Sequence, residues 1–388
     1  MFEFNKDYVI DDINIAINIL NEDLDEEVHS FPPVPNALKD ITTGINKGKL
    51  DENIRVRYKF PYGIWFRGQP RCCFNLEPTL FREKVYKELV CRDRIKNTNC
   101  IDGIRTLSYY TETSMLKHFM LRSNIDYLKI DSTLDWLCLM QHHGIPTRLL
   151  DWTESILIAL YFAVREKNEC DGYIFALNGA RLNKITRIGK PRKALCTPDS
   201  VDVVLRAELS NAHSLKTLIS NLRKKNLLNY VCENITDLDL IKKLKGFKTY
   251  NNDLVLEGNV KDLIVKLSLP IAFFPARKND RMANQLSVFT LSGGKAYDKE
   301  IVKNFGNSIF YEPKGLVELD NEIKNEPNYL SRKFLKCFKI PGDSKLKIRE
   351  QLKRVGIHDG SMYPELEYQA NYIKKQWRII EDENGEYI

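Results

Sequence analysis

The stretch LMQHHGIPTRLLDWTESILIALYFA, residues 139–163, decides how the rest of the chain is interpreted. It places polar and charged side chains between two apolar segments, and both apolar segments have helical spacing. Gly144 can end the first helix in a left-handed turn, and Pro146 prevents that helix from continuing. The stretch therefore predicts two helices joined by an ordered polar loop.

This loop is the candidate functional site, because polar loops fixed between buried helices usually carry binding and catalytic groups. Thr147, Arg148 and Asp151 are expected on an ordered turn or a short strand, since the proline before them disfavours helix. Thr153, with Glu154 in the first turn, is the candidate N-cap of the second helix. In an alternative interpretation, Arg148 and Asp151 form a buried ion pair that only fixes the turn.

Length and composition describe an ordinary globular chain of 388 residues with nine cysteines and a formal net charge of +7. Such a chain can hold two or three domains, and its many aromatic residues argue against long disorder. The sequence contains no apolar run of membrane-spanning length and no signal-peptide pattern at its start, so a cytoplasmic protein with no membrane partner is expected. No Cys-x-x-Cys pair and no HExxH motif occurs, so no metal site is predicted.

Four regions are predicted along the chain. Residues 1–52 form a helical N-terminal extension, and residues 53–178 form the first part of a core. Residues 179–262 are basic, rich in Lys and Asn and partly helical, and we interpret them as an insertion. Residues 263–388 complete the core and end in a helix. Short strands linked by helices indicate an α+β fold, with a small mixed or antiparallel central sheet flanked by helices.

The individual elements are predicted from hydrophobic periodicity. Strands are expected over 53–60, 64–66, 172–177 and 335–340, and just before Ser292. Helices are expected over 10–24, 106–124, 345–355 and 367–377, and on both sides of the central loop.

Arg67 is a second candidate for binding chemistry. It follows the short aromatic strand Ile64 to Phe66, which Gly68 and Pro70 end. An arginine at a strand end can project its guanidinium into a cleft, where it binds phosphate or carboxylate with two hydrogen bonds. A salt bridge across the end of the sheet is the alternative.

Several separated pieces together resemble the FRG domain, a family of bacterial and phage-associated proteins. The pieces are Phe66-Arg67-Gly68-Gln69, the segment Gln141 to Thr153 with Ala159 to Ala163, Arg281 to Phe289, and the closing segment Ser361 to Glu367. The resemblance covers about residues 60–178 and 263–377. By itself it implies little about activity.

The order of the first three pieces is also similar, more distantly, to ADP-ribosyltransferases of the Arg-Ser-Glu type. In that comparison Arg67 matches the arginine strand, and Thr147 with the helix ending at Tyr161-Phe162 matches the second element. Gln285 matches the third element. The resemblance implies an ADP-ribosyltransferase-like core in which Arg67 holds the pyrophosphate of NAD, Thr147 positions the nicotinamide ribose and Tyr161 stacks on the nicotinamide.

The third element departs from the transferase pattern. Gln285 is neutral, and Ser287 stands where the transferases have the glutamate that stabilises the oxocarbenium ion. Asp151 and Glu154 are candidates to supply the missing charge, and His143 is a candidate acid or base. Three alternatives follow: an unusual transferase, a relocated acid, or a pocket retained without turnover.

The predicted function is an NAD-consuming ADP-ribosyltransferase or NAD glycohydrolase that acts as a bacterial toxin or phage-defence effector. NAD is the expected substrate, nucleic acid or protein the expected acceptor, and an antitoxin or a phage protein the expected regulator. The predicted catalytic residues are Arg67, Thr147, Asp151, Gln285 and His143. The predicted NAD-binding residues are Arg67, Gly68, Gln69, Arg148, Tyr161 and Arg281.

Two other functions compete with this prediction. One is a non-catalytic module that binds a nucleotide or nucleic acid and senses a phage component, with the basic residues of 181–193 contacting nucleic acid. The other is a metal-dependent nuclease, which ranks last because the sequence has no compact carboxylate cluster.

Overall fold

A computed structural model describes residues 9–22, 64–71, 76–82, 107–123, 130, 132–166, 169–189, 195–210, 215–234, 266–294, 315–324 and 333–377. The predicted strand at 53–60 and residues 235–262 of the predicted insertion lie outside these residues.

An antiparallel sheet forms the centre of the described structure. Its strands are β1 Ile64–Gln69, β2 Leu149–Thr153, β3 Gly172–Asn178, β4 Ile271–Phe273, β5 Ser287–Leu291 and β6 Leu335–Ile340. The spatial order of the six strands is β4-β5-β2-β1-β3-β6, and each neighbouring pair is antiparallel. The α+β class and the central sheet are confirmed, and among the described strands the sheet is antiparallel rather than mixed.

Helices lie against the sheet and at its ends. They are α1 Ile13–Glu22, α2 Leu107–Arg122, α3 Thr133–His142, α4 Ile156–Val164, α5 Gly179–Thr186, α6 Val201–Leu209, α7 Leu215–Lys224, α8 Leu228–Asn234, α9 Asp280–Asn284, α10 Leu316–Ile323, α11 Lys345–Arg354, α12 Asp359–Met362 and α13 Leu366–Gln376. None of the described helices is long and apolar enough to span a membrane.

Most predicted elements are confirmed to within a few residues, but the N-cap of α4 was wrong. Thr153 is the last residue of β2, where it pairs with Ser287 of β5. The cap is Ser155, whose side chain accepts a hydrogen bond from the Ile158 amide at 3.4 Å. Strand pairing therefore moves the helix start two residues along the chain.

The central strand β1 pairs unequally with its two neighbours. It pairs with β3 along its full length, from Ile64 to Gln69. With β2 it shares one residue pair, Phe66 with Thr153, although β2 pairs along its whole length with β5 on its other edge. The two strands therefore separate beyond Phe66, and this separation creates the space for the site.

Helix α4 lies unusually close to the sheet. A Cβ atom at Gly68 would lie 1.8 Å from the carbonyl oxygen of Ala159 and 2.7 Å from the amide nitrogen of Ala163. A Cβ atom at Gly172 would lie 2.7 Å from the carbonyl oxygen of Ala163. The two glycines let the helix backbone touch β1 and β3 directly, which fixes the position of α4 beside the strand separation.

The described parts of the predicted extension and insertion belong to the main cores. Ile10 packs with Phe66 and Phe338 on one face of the sheet. On the opposite face, Leu182 of α5 packs with Trp65. Val203 of α6 packs in a further cluster formed by α2, α3 and β5. Residues 179–210, as far as they are described, are therefore integral to the fold.

Candidate functional site

A cavity of about 250 Å³ opens where β1 and β2 separate. Its polar lining consists mainly of Arg67, Gln141, His142, Asp151, Arg281 and Gln285. Its aromatic lining consists of Phe66, Trp152, Phe162 and Phe289. The volume lies just below the ~300–1,000 Å³ of most small-molecule sites, so the cavity suits one end of a larger ligand.

Arg67 reaches into the cavity from β1. Its Nη1 donates a hydrogen bond to the backbone oxygen of Asp151 at 2.7 Å and lies 4.0 Å from Asp151 Oδ2. Its Nε is buried without a hydrogen-bond partner among the described residues. Burial lowers the pKa of Arg67 to about 10, an effect that Asp151 opposes and Arg82 reinforces. The guanidinium is therefore charged at neutral pH and retains one donor that no described residue bonds.

A hydrogen-bonded chain orients the Asp151 carboxylate. Gln141 Nε2 donates to Asp151 Oδ2 at 2.7 Å, and Thr147 Oγ1 donates to Gln141 Oε1 at 2.5 Å. The Thr147 hydroxyl also accepts from the Leu149 amide at 3.2 Å. Thr147 is fully buried and does not line the cavity. It therefore positions Gln141, which is a correction to its predicted role on the nicotinamide ribose.

Arg281 and Gln285 form the opposite wall, and C-terminal residues support both side chains. The Arg281 guanidinium lies 4.7 Å from the centre of the Tyr363 ring, and its Nη1 lies 3.7 Å from Glu365 Oε1. Gln285 Nε2 donates to the backbone oxygen of Met362 at 3.1 Å. The wall is thus assembled from two segments that are distant in sequence.

His142 lines the cavity, whereas the predicted His143 does not. His142 Nε2 lies 3.7 Å from Glu365 Oε1. Burial lowers the pKa of His142, with further lowering by Arg281 and His143, whereas Glu365 raises it. The imidazole is therefore mostly neutral at pH 7. His143 is exposed at the end of α3 beside Phe119, so its predicted acid or base role is corrected.

Arg148 points away from the cavity and is fully buried. Its Nε donates to Glu112 Oε1 at 2.6 Å, and its Nη2 donates to Glu112 Oε2. Its Nη1 lies 3.4 Å from the carbonyl oxygens of Ser292 and Gly294. Both interpretations of Arg148 are thereby corrected, because it neither lines the cavity nor pairs with Asp151. It ties the start of β2 to α2 and to the segment after β5.

Tyr161 also faces away from the cavity. Its hydroxyl donates to Asp359 Oδ1, and burial together with this hydrogen bond raises the pKa of Tyr161. The next residue, Phe162, lines the cavity in its place. Glu154 forms an ion pair with Arg277 and does not line the cavity.

The two remaining predicted NAD-binding residues follow Arg67 on β1. Gly68 lines the cavity, and α4 leaves no room for a side chain there. Gln69 is buried outside the cavity lining, and its amide has no hydrogen-bond partner among the described residues.

The structure thus brings together Arg67, Gly68, Asp151, Arg281 and Gln285, and it adds Gln141, His142 and Phe162, which the sequence-based site lacked. Helical spacing is the signal that could have found two of them. Cys138, Gln141 and His142 lie three and four residues apart on α3, so they share the face that borders the cavity, whereas His143 does not.

Two basic residues of the segment 179–262 are engaged within the protein, and one of them, Arg187, belongs to the set considered for nucleic-acid contact. Arg187 Nε lies 3.6 Å from Asp202 Oδ2, and Lys225 Nζ lies 2.7 Å from Glu208 Oε1. Among the described residues, no group of three or more His, Cys, Asp and Glu side chains is arranged to hold a metal ion.

The family model of the FRG domain matches residues 63–172. This match confirms the expected FRG resemblance for the part of the chain that carries β1, β2 and helices α2 to α4. No curated protein and no solved structure matches the chain. Of the cavity residues, Arg67, Gln141, His142 and Asp151 lie within the match, whereas the wall formed by α9 lies outside it.

Proposed function

We propose that the cavity binds the nicotinamide end of NAD and that the protein cleaves the bond between nicotinamide and ribose. The observation that carries this proposal is the Arg67 guanidinium beside the Asp151 carboxylate in an aromatic-walled cavity, where two strands separate. The reaction class is that of an ADP-ribosyltransferase or an NAD glycohydrolase. The core would accordingly be ADP-ribosyltransferase-like.

The positive charges of the cavity suit the pyrophosphate of NAD. Arg67 has an Nε with no partner among the described residues, and Arg281 supplies a second cation on the opposite wall. Charge-assisted hydrogen bonds from arginine to the pyrophosphate oxygens would hold NAD with the nicotinamide ribose inside the cavity. The volume of about 250 Å³ fits this end of the dinucleotide and leaves the adenosine outside.

Asp151 is the carboxylate that would stabilise the transition state. When the bond between C1′ and nicotinamide breaks, both electrons leave with the nicotinamide, and positive charge develops on the ribose. A carboxylate that is already oriented lowers the energy of that charge, and Gln141 holds Asp151 in place. Gln285, being neutral, would orient a ribose hydroxyl, while Phe162 offers a ring face to the nicotinamide.

The biological role follows from this chemistry as part of the same proposal. An enzyme that consumes NAD or attaches ADP-ribose to nucleic acid or protein would harm its own cell. We therefore propose a toxin or phage-defence effector that an antitoxin or a phage component controls.

The test is the release of nicotinamide when the purified full chain is incubated with NAD, alone and with cell extract and nucleic acid. NAD should also protect the chain against heating. Arg67→Ala should weaken NAD binding about 10- to 100-fold, because hydrogen bonds to charged groups contribute ~1.5–3 kcal/mol. Arg71→Ala is the matched control, since Arg71 is exposed near Glu166 and does not line the cavity.

Each other outcome has a distinct meaning. If Arg67→Ala bound NAD as well as the wild type, the cavity would not be the NAD site. If NAD protected the wild type but no condition released nicotinamide, the chain would be a nucleotide-binding module without turnover. If NAD neither protected the chain nor was cleaved, the proposal would fail.

A further inference from the structure

The rim of the cavity contains a carboxylate from the C-terminal segment, outside the residues that match the FRG domain. Glu365 Oε1 lies 3.7 Å from His142 Nε2 and 3.7 Å from Arg281 Nη1. Its other oxygen, Oε2, is buried with no hydrogen-bond partner among the described residues. Glu365 thus stands between two basic side chains that both line the cavity.

The segment that carries Glu365 is held firmly against the rim. Asp359 accepts a hydrogen bond from the Tyr161 hydroxyl, and the Tyr363 hydroxyl accepts one from Arg165 Nη1 at 2.6 Å. Tyr363 is almost fully buried, and its ring lies against the Arg281 guanidinium. These contacts hold the segment just before Glu365, so Glu365 approaches His142 from a rigid support.

We propose that His142 is the base that removes the proton of the acceptor hydroxyl, and that Glu365 is the positioning residue that holds His142 for this step. This inference rests on the proposed function, and it adds the step in which the acceptor hydroxyl attacks the ribose. Because Nε2 faces Glu365, Nε2 keeps the hydrogen of the ring. Nδ1 therefore carries the lone pair that accepts the proton of the acceptor hydroxyl. The separation of 3.7 Å is longer than a hydrogen bond, and such contacts commonly tighten when substrate binds.

Bond formation and bond breaking both occur at C1′ of the ribose. The acceptor oxygen forms a bond to C1′ of the ribose while the bond from C1′ to nicotinamide breaks, and both electrons of that bond leave with the nicotinamide. The acceptor proton moves to His142 Nδ1. The acceptor is accordingly a group that bears a hydroxyl, either water or the hydroxyl of a larger molecule.

The catalytic role of His142 is tested by substitution. His142→Gln should lower the rate of nicotinamide release about 100-fold or more, since a positioned base contributes ~10²–10⁴-fold. NAD should still protect the His142→Gln variant against heating, because Arg67 and Asp151 are unchanged. His143→Gln is the matched control: it changes the neighbouring exposed ring and should keep the wild-type rate.

Glu365 is tested by the pH dependence of the rate. The charged and titratable groups that act on His142 are Arg281 from α9, Glu365 from the C-terminal segment and His143 on its own helix. Removing Glu365 removes the group that raises the pKa of His142, so Glu365→Gln should shift the acidic limb of the rate profile to lower pH. Glu365→Asp should restore much of the wild-type profile.

Failure of this inference can be told apart from failure of the proposed function. A wild-type chain that does not cleave NAD would overturn both. A wild type that cleaves NAD, with a His142→Gln variant equally active or an acidic limb that Glu365→Gln leaves in place, would overturn only the inference.

Discussion

Two arginines beside the central loop show what separates a structural from a ligand-binding role. Arg148 is fully enclosed, and its guanidinium meets both oxygens of Glu112 and several carbonyl groups. Arg67 bonds one carbonyl oxygen and keeps a buried Nε without a described partner beside an open cavity. Buried donors are normally satisfied, and the unsatisfied Nε of Arg67, unlike the unsatisfied amide of Gln69, belongs to a side chain that lines the cavity.

Removing one member of the buried pair should strongly destabilise the protein. Arg148→Met leaves the Glu112 carboxylate buried without its partner, and such losses cost ~3–5 kcal/mol of unfolding free energy. Urea denaturation measures the change. The control is Arg277→Met, which breaks the partly exposed pair with Glu154 and should cost ~1 kcal/mol or less. Equal losses in the two variants would contradict the structural role of Arg148.

The histidines show how far a single residue can be predicted from sequence. The motif pointed to two adjacent histidines, and helical spacing could have favoured His142, since it lies four residues after Cys138 on the face of α3 that borders the cavity. The partner of His142 could not be predicted in the same way. Glu365 is brought to it by the packing of Tyr363 and Arg281, and no local pattern reports a contact between segments so far apart.

At the scale of elements, the ends of helices and strands were predictable where the hydrophobic periodicity is strong. They were misplaced where strand pairing determines them. Strand β6 and helix α11 follow regular patterns, and both were found at their expected positions. The start of α4 was misplaced because pairing with β5 keeps Thr153 in β2. The three-residue strand β4 went unpredicted, since Ile271–Phe273 is too short to show a period and lies between prolines.

The close contact of α4 with β1 predicts that a substitution of Gly68 acts through a steric clash and not through backbone conformation. Gly68→Ala places a methyl group 1.8 Å from the Ala159 carbonyl oxygen, so helix and strand must move apart. We expect a loss of ~3 kcal/mol or more in unfolding free energy, at the upper end of overpacking effects. The loss should be accompanied by weaker NAD protection, because α4 carries Phe162 into the cavity. Urea denaturation and heating with NAD measure the two effects.

Gly144→Ala is the comparison for that prediction. Gly144 has a φ of +74° and nothing within 4 Å of an added Cβ atom. The substitution therefore strains the backbone without a clash and should cost ~1–2 kcal/mol. If Gly68→Ala were no more harmful than Gly144→Ala, the close approach of α4 to β1 would be wrong.

At the scale of the whole molecule, the N-terminal helix closes one side of the fold. Val9 forms a parallel bridge with Lys339 of β6, and the Ile10 amide donates to the Lys339 oxygen at 2.8 Å. Ile13 and Ala16 then pack in the core that contains α4. The N-terminal segment thus supports the helix that carries Phe162 to the cavity.

Asp12 fastens this helix to α11 and should make its docking depend on pH. Asp12 Oδ2 lies 2.9 Å from Lys347 Nζ and accepts from Gln351 Nε2 at 2.8 Å, while Oδ1 accepts from the Asn14 amide. The Lys347 contact, with the two hydrogen bonds, lowers the pKa of Asp12. Because the folded pKa is depressed, the stabilisation is complete above the unfolded pKa of ~3.9 and is lost as pH falls through the folded value.

Asp12→Asn should therefore release α1 selectively at neutral pH. Hydrogen exchange of the α1 amides should become faster than in the wild type, while exchange in β1 and β3 stays unchanged. As pH falls below the unfolded pKa of ~3.9, the difference from the wild type should shrink, because protonation then favours the undocked state, in which the carboxylate has its ordinary pKa. Asp11→Asn, at the exposed neighbouring position, should leave exchange as it was. Unchanged exchange in Asp12→Asn would show that apolar packing alone holds the N-terminal helix, and that the Asp12 contacts contribute nothing to its docking.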